Sequence, residues 1–428
     1  MSKSSALIAL TSSLSLSAAS FAACPAGTTT APVQVDGKET CVLSGVYSSD
    51  LVLSSSRSWV LSGGVFIGGD NTNSAKLQIQ PGTKIVGQSG ADFLVINRGS
   101  QIIAEGTADL PIVFTSSKAA GERNRGDWGG LIINGNAPIN GCNADVALCE
   151  AEGEGNTGLY GGNDASDNSG ILKYVRVEYA GNEITPDNEL NGIAFQGVGA
   201  GTLVDYIQVH MNADDGVEFF GGTVNAKHVV LTGNRDDSLD WVNGWQGKLQ
   251  FAVVEQYADQ ANNGIEADNL KAKQDASPRS NPTLANMTFI GTTSEAAKGG
   301  SGMLLRRGTG LNLTNSVFTG FKTSCIDIDD AETFNAGEIF ITNTFVDCAS
   351  NFTIEDGDGF NISTWFSSES TNKVVDPLLN GYVPAAGSPL LGAGETPFDL
   401  FFDEVTYIGA IENASNDWTL GWTTSARN

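Results

Sequence analysis

The sequence contains few of the residues on which nucleophilic catalysis and membrane spanning depend. It has two histidines in 428 residues, and no apolar run after the N-terminal segment approaches the 18 residues of a membrane helix. Nucleophile-elbow, phosphate-loop and zinc-ligand spacings are missing as well. We therefore predict no membrane helix in the mature chain and little capacity for nucleophilic catalysis.

Positive charge is scarce too. The chain has 23 basic against 49 acidic residues, which gives a formal net charge of -26. A surface this negative repels phosphate backbones and anionic lipids, so we expect no nucleic-acid partner and no peripheral membrane binding. It attracts divalent cations and cationic ligands, and it tolerates neutral sugars.

The N-terminal segment has the pattern of an export signal. Lys3 precedes a short apolar stretch at 6–19, and the letters SFA at 20–22 end in the small residue that a signal peptidase reads. We predict a signal peptide at 1–22 and an exported chain. Its destination is the extracellular space, the outer cell surface or the periplasm.

Two strand patterns recur at a nearly fixed interval. The first is a small residue followed by an aliphatic, a variable and an apolar residue, and its first three intervals are 24, 22 and 26 residues. It starts at Gly192, Gly216, Ser238, Gly264, Gly302 and Cys325. The second pattern starts at Tyr206, His228 and Phe251, at intervals of 22 and 23 residues. Two strands repeating together at this period describe one coil of a parallel β-helix, whereas propeller blades need about 40 residues.

Five motifs between residues 65 and 411 carry a family resemblance. They are GTA at 106–108 with PIVFTS at 111–116, GDWGGL at 126–131, DDGVEFFGGT at 214–223, GSP at 387–389 and YIGA at 407–410. Together they resemble exported bacterial right-handed parallel β-helix proteins of the pectate-lyase-like superfold. The resemblance implies the architecture and leaves the activity open, because this superfold carries lyases, hydrolases, adhesins and binding proteins.

The expected organisation follows from this all-β fold. We predict an N-terminal cap at 23–60, which covers the first coil, and a right-handed parallel β-helix at 61–365. Insertions are expected near 138–170 and 255–282. Residues 366–428 are expected to form a C-terminal coil and cap that close the far end.

Six cysteines form three local pairs, and an even number in an exported chain favours disulfides. Lipidation of Cys24, directly after the signal, is the alternative, but it leaves Cys41 without a partner. Cys325 and Cys348 are 23 residues apart, which is one coil. The predicted pairs are Cys24–Cys41, Cys142–Cys149 and Cys325–Cys348.

Aligning the coils places the variable position of the first pattern in one column. The column reads Ala194, Glu218, Asp240, Glu266, Leu304 and Asp327. A strand residue between two apolar neighbours points away from the core, so we expect these side chains to face outward. Stacked coils are about 4.8 Å apart, which brings Glu218, Asp240 and Glu266 close together.

Carboxylates this close repel one another unless they are protonated, spread apart or bridged by a cation. Ca²⁺ takes six to eight oxygen ligands and fits such a patch. The predicted ligands are Asp214, Asp215, Glu218, Asp236, Asp237, Asp240 and Glu266. The alternative is that Asp214, Asp215, Asp236 and Asp237 only cap turns by accepting backbone N–H groups. This alternative leaves the acids within strands, Glu218, Asp240 and Glu266, unexplained.

Three functions remain open at this point. The leading hypothesis is a non-catalytic protein that binds an extended glycan or surface polymer along its acidic face. The second is a polysaccharide lyase or glycoside hydrolase that uses Glu218, Asp240 and Glu266. The third is a passive surface coat.

The hypotheses of an enzyme and of a glycan-binding protein require further residues. The candidate cationic bases of a lyase are Arg235, Lys227, Arg306 and Arg307. Trp241 and Trp245 are the candidates for stacking against sugar rings. His228 takes the position of Tyr206 and Phe251 in the repeat, so we expect it to pack against them.

Overall fold

The computed structural model describes residues 24–428 except 33, 144–145, 186–187, 298 and 356–358. The predicted signal peptide at 1–22 lies outside the described residues. Within them, no helix is long and apolar enough to cross a membrane.

One 26-stranded sheet winds along the molecule as a parallel β-helix, as predicted. Each coil passes through three faces, here named sheet 1, sheet 2 and sheet 3, and then returns to sheet 1. Val217–Phe220 lies in sheet 1, Asn225–Thr232 crosses sheets 2 and 3, and Leu239–Val242 pairs with Val217–Phe220 in the next coil. Among the described strands of this sheet, only the short strand Thr29–Thr30 pairs antiparallel, against the first coil.

The strands belong to the three faces as follows. Sheet 1 contains Phe93–Ile96, Gly130–Asn134, Ile193–Gln196, Val217–Phe220, Leu239–Val242, Ile265–Asp268, Met303–Arg306 and Ile326–Ile328. Sheet 2 contains Leu51–Leu53, Lys76–Ile79, Gln101–Glu105, Leu311–Thr314 and Ile339–Ile341. Sheet 3 contains Lys84–Gly87, Ile112–Ser116, Ser316–Thr319, Thr344–Asp347 and Lys373–Val374. Bent strands that cross sheets 2 and 3 are Gly170–Glu178, Leu203–His210, Asn225–Thr232, Lys248–Glu255 and Thr283–Ile290. Thr40–Tyr47 and Ser58–Ile67 cross sheets 3 and 1.

Short elements complete the described chain. Antiparallel hairpins are formed by Ala151–Glu152 with Leu159–Tyr160, Asn182–Thr185 with Asn188–Leu190, and Leu379–Asn380 with Val383–Pro384. The helices are Ala331–Asn335 and Ile362–Ser368, and the 3₁₀ turns are Glu154–Asn156 and Ala414–Asn416.

Alternation along each strand fills the core. In Val217–Phe220, Val217 and Phe219 are buried inside the coil while Glu218 between them faces out. Aromatic rings stack inside the solenoid, with 5.2 Å between the centroids of Phe195 and Phe219 and 3.9 Å between those of Phe219 and Trp245. Burying an aromatic side chain of this kind contributes about 1.5–3 kcal/mol, so the alternation strongly favours one register.

A ladder of stacked rings marks the bend between sheets 2 and 3. Tyr174, Tyr206, His228 and Phe251 all have positive φ, between 49° and 62°, which non-glycine residues rarely adopt. Their centroids are separated by 4.4, 4.1 and 5.1 Å in turn, so ring stacking accompanies the unusual backbone. The predicted packing role of His228 is confirmed.

All three expected disulfides form. Cys24 is bonded to Cys41, the pairing that we favoured over a lipid anchor, and it ties the N-terminal segment to the first coil. The Cys325–Cys348 bond joins consecutive coils.

The insertion after Gly130–Asn134 folds back over sheet 1. Its side chains Ile139 and Tyr160 pack on outward residues of the sheet, including Ile132 and Ala194. The region 255–282 differs from the expected insertion, because it contains Ile265–Asp268, which is a regular strand of sheet 1.

The C-terminal segment takes a different course from the one we expected. Ile362–Ser368 buries Ile362 and Phe366 against the core at the far end of the solenoid. From residue 377 the chain turns and runs back along the flank toward earlier coils; we name residues 377–428 the tail.

Three side-chain amides of the coils hold the tail: Gln208 binds Thr424, Gln250 binds Asp403 and Asn315 binds Glu395. Each of these amides donates to the backbone C=O of its tail residue and accepts from the N–H of the same residue. Because any residue has these two groups, the tail is recognised largely through its backbone.

Candidate cation-binding cleft

The column of outward residues has the predicted register. Glu218 pairs with Ala194 on one side and Asp240 on the other, and Asp240 pairs in turn with Glu266. Leu304 and Asp327 continue the column. A cleft of about 370 Å³ lies over these strands, named here the acidic cleft. Its acidic lining residues are Glu154, Glu189, Asp214, Asp215, Glu218, Asp236, Asp237, Asp240, Glu266 and Asp268.

Three carboxylates meet at the centre of the acidic cleft. Asp215, Asp237 and Asp240 each place one oxygen within 4.8 Å of the others. Asp215 and Asp237 are buried and Asp240 is half-buried. A donor set made only of carboxylate oxygens suits a hard cation such as Ca²⁺ or Mg²⁺ and lacks the softer ligands typical of zinc or copper sites.

Hydrogen bonds between coils hold two of these carboxylates in place. The backbone N–H of Asp237 donates to Asp215 Oδ1 at 3.0 Å, and that of Asn263 donates to Asp237 Oδ1 at 2.5 Å. Asn263 Oδ1 accepts from Ser301 N at 2.9 Å in the next coil. One oxygen of Asp215 and one of Asp237 thus accept backbone N–H groups, as the turn-capping interpretation requires. The second oxygen of each of these two carboxylates is left for another partner.

Side-chain amides orient the neighbouring acids. Asn191 Nδ2 donates to Glu218 Oε2 at 2.6 Å, and Asn262 Nδ2 donates to Asp236 Oδ1 at 2.8 Å. The amides keep the carboxylates directed along the cleft without adding positive charge. The mutual repulsion of the acids therefore remains.

Burial and this repulsion raise the pKa values of the cleft acids. Burial is the main cause for Asp215, Glu218, Asp237 and Asp240, and neighbouring carboxylates raise the pKa of each further. Burial, followed by repulsion from Glu189 and Asp236, raises the pKa of Asp214 to about 7. A bound cation would offset both causes, because it supplies positive charge next to the carboxylates.

Two acids of the cleft come from segments outside the repeats, and no sequence pattern pointed to them. Glu154 begins the 3₁₀ turn Glu154–Asn156, and Glu189 lies in the hairpin strand Asn188–Leu190. The two segments are joined where the N–H of Gly155 donates to Asn188 Oδ1 at 2.7 Å. Burial, then repulsion from Asp214 and Glu189, raises the pKa of Glu154 to about 8.

Arginines occupy one end of the cleft. Arg306 forms ion pairs with Glu266 and with Asp268, and Arg307 forms one with Asp268. Burial, followed by the neighbouring charge of Arg307, lowers the pKa of Arg306. Asp268 was not among the predicted residues, although it ends the same strand as Glu266.

Two of the candidate cationic bases lie elsewhere. Arg235 does not line the acidic cleft; its charge partly opposes the rise in the pKa of Asp214. Lys227 points outward from sheet 2 and pairs with Asp403 of the tail at 2.8 Å.

The expectation that Trp241 and Trp245 stack against sugars is wrong. Both side chains are fully buried in the core, and Trp245 lies flat against Phe219. The alternation that points Asp240 outward necessarily points Trp241 inward.

Comparison with known proteins agrees with the architecture. The family model described as pectate-lyase-like β-helix domain matches residues 45–378. Searches of curated proteins and of solved structures find no significant match.

Proposed function

Since the chain belongs to the pectate-lyase-like β-helix family, we propose that it is an exported binding protein that uses a divalent cation to hold an extended ligand. Ca²⁺ is the proposed cation, and Asp215, Asp237 and Asp240 are its central ligands. The ligand is a glycan or a surface polymer whose hydroxyl or carboxylate oxygens complete the coordination of the ion. Three disulfides support an oxidising location outside the cytoplasm.

One observation carries this proposal. Three carboxylate oxygens within 4.8 Å of one another line an open cleft, and no lysine or arginine of the described residues forms an ion pair with them. Glu218 and Glu266 flank them in the adjoining coils, and Asp214 and Asp236 lie on the preceding turns. Ca²⁺ accepts six to eight oxygen ligands, so a polymer can supply those that the protein does not.

A polysaccharide lyase is the second candidate, and one observation favours it. Arg306 lies in the acidic cleft with a lowered pKa, as an arginine that removes a proton would require. Its guanidinium is, however, held by Glu266 and Asp268. A base engaged by two carboxylates is poorly placed to accept a proton, and for this reason we rank binding first.

Calcium titration of the metal-free mature chain tests the cation site. We expect saturable binding of Ca²⁺ by calorimetry, and we expect Asp240→Asn to weaken it at least about tenfold, because one carboxylate ligand is lost. Asp109→Asn is the matched control, since Asp109 is exposed and lies outside the cleft. Equal binding by wild type and Asp240→Asn would contradict the assignment of the site.

A glycan panel in Ca²⁺ and in EDTA then separates the functions. Calcium-dependent retention without new products supports binding. New unsaturated products absorbing in the ultraviolet support the lyase, and new reducing ends support a hydrolase. Ordered assembly of the protein without any ligand would support a passive coat.

A further inference from the structure

The tail contains a protruding loop that is apolar, whereas the cleft described above is acidic. We name residues 397–402 the tip loop. Phe398 and Leu400 are 109% and 106% exposed, more than any other large apolar side chain in the described part of the chain, where Leu420 follows at 67%. A recess beside the tip loop is lined by exposed Leu203 of sheet 2, by Leu400 and by the ring of Phe401. Contiguous exposed apolar surface of this kind marks an interaction site.

Hydrogen bonds and ion pairs on both sides hold the tip loop in shape. Asp399 Oδ1 accepts from the N–H of Phe401 at 2.9 Å, and the second oxygen of Asp399 pairs with Lys248. Directly after the tip loop, Asp403 is held by Gln250 through both its N–H and its C=O. Phe398 and Leu400 are therefore presented by a fixed backbone.

The charge around the tip loop differs from that of the chain as a whole. In the described strands of sheet 2 the outward charged residues are four lysines and two acids, namely Lys76, Lys173, Lys227, Lys248, Glu105 and Asp205. The tip region adds Asp399 and Asp403, which pair with Lys248 and Lys227, and the exposed Glu395 and Glu404 on either side of the tip loop. Four lysines against six acids leave this face with a charge of about -2, whereas the whole chain carries -26, so this face repels lipid phosphates far less than the net charge suggests.

We propose that sheet 2 and the tip loop dock on a zwitterionic lipid surface, with Phe398 and Leu400 inserted between the headgroups. Two protruding apolar side chains separated by a paired aspartate enter a fluid bilayer readily, whereas a protein partner needs a matching pair of pockets. Lys173, two strands away from Lys227 in the same sheet, lies where it can contact lipid phosphates. Sheet 1 is a separate face of the coil, so docking through sheet 2 leaves the acidic cleft open to its ligand. This proposal does not depend on the cation site.

Flotation of the mature chain with phosphatidylcholine vesicles tests the proposal. We expect the wild type to float with the vesicles. Phe398→Ser combined with Leu400→Ser should reduce the bound fraction at least about tenfold, because both inserted side chains are lost. Val46→Ser is the matched control: Val46 is 64% exposed and pairs with Phe66 in sheet 1, away from sheet 2 and the tip loop, so its loss should leave flotation unchanged. Vesicles that also contain phosphatidylglycerol should bind less protein, because they repel the acidic chain.

Two results would overturn the proposal. One is a wild type that does not float with phosphatidylcholine, or a double variant that floats equally well. The other is a wild type that self-associates without lipid and loses this association in the double variant, which would assign the tip loop to a contact with a second copy. Unchanged melting temperatures of the three proteins would show that the substitutions act on docking and not on folding.

Discussion

The acidic cleft should make the stability of the metal-free protein depend on pH. Asp214 ordinarily has a pKa of 3.8, and burial with its acidic neighbours raises this to about 7. Between these values the unfolded chain releases the proton while the folded chain keeps it. Stability therefore falls as pH rises across this window and levels off above about pH 7. Glu154, with a pKa raised to about 8, acts in the same direction and extends the window upward.

The size of the effect follows from the shift. One pKa unit corresponds to 1.36 kcal/mol, so Asp214 alone should cost the folded state roughly 3 kcal/mol between pH 5 and pH 8. For a chain of this length that is about 3 to 4 °C in melting temperature. Asp214→Asn removes the titrating group, and at pH 8 in EDTA this variant should melt above the wild type. At pH 5 the difference should be smaller, because only part of the window from 3.8 to about 7 has been crossed.

The assay is differential scanning calorimetry. The wild type and Asp214→Asn are compared at pH 5 and at pH 8, each in EDTA and in Ca²⁺. Ca²⁺ should stabilise the wild type most at pH 8, since the ion favours ionised carboxylates and binds only the folded chain. Asp109→Asn should behave like the wild type throughout. If Asp214→Asn keeps the full pH dependence in EDTA, or if Ca²⁺ leaves that of the wild type unchanged, the argument from repulsion in the cleft is refuted.

Two further predictions concern the core of the solenoid. Replacing Cys325 and Cys348 together by serine should lower the free energy of unfolding by about 2–4 kcal/mol in denaturant titrations, because the bond joins two coils; an equal effect from replacing Cys142 and Cys149 would contradict this special role. Trp245→Ala should lower the free energy of unfolding by about 3–5 kcal/mol, because Trp245 is fully buried. A variant that loses glycan affinity but keeps its stability would instead show that Trp245 binds sugars at the surface.

The repeat could be predicted because it rests on two regularities that the sequence displays directly. Strand residues alternate between inside and outside, and the coils return at a nearly constant interval. These rules place Glu218, Asp240 and Glu266 in one outward column, and the structure has that register. Applied consistently, they would also have placed Trp241 inside.

The remaining parts of the site follow no period. Glu154 and Glu189 reach the acidic cleft on irregular segments, whose course depends on packing such as that of Ile139 and Tyr160 on sheet 1. The route of the tail was equally hidden, because Gln208, Gln250 and Asn315 contact its backbone and so leave no pattern in its side chains. Contacts of this kind become visible only in three dimensions.

The tail also constrains how the molecule can vary in length. In a repeat protein each coil contacts only its neighbours, so a coil can be gained or lost locally. Here Asn315, Gln250 and Gln208 are matched to Glu395, Asp403 and Thr424 of one continuous segment. Deleting one coil between them would shorten the flank by about 4.8 Å while the tail kept its length, and the pairs on either side of the deletion could no longer form together. Coil number and tail length are thus coupled in this chain: a change in one requires a matching change in the other.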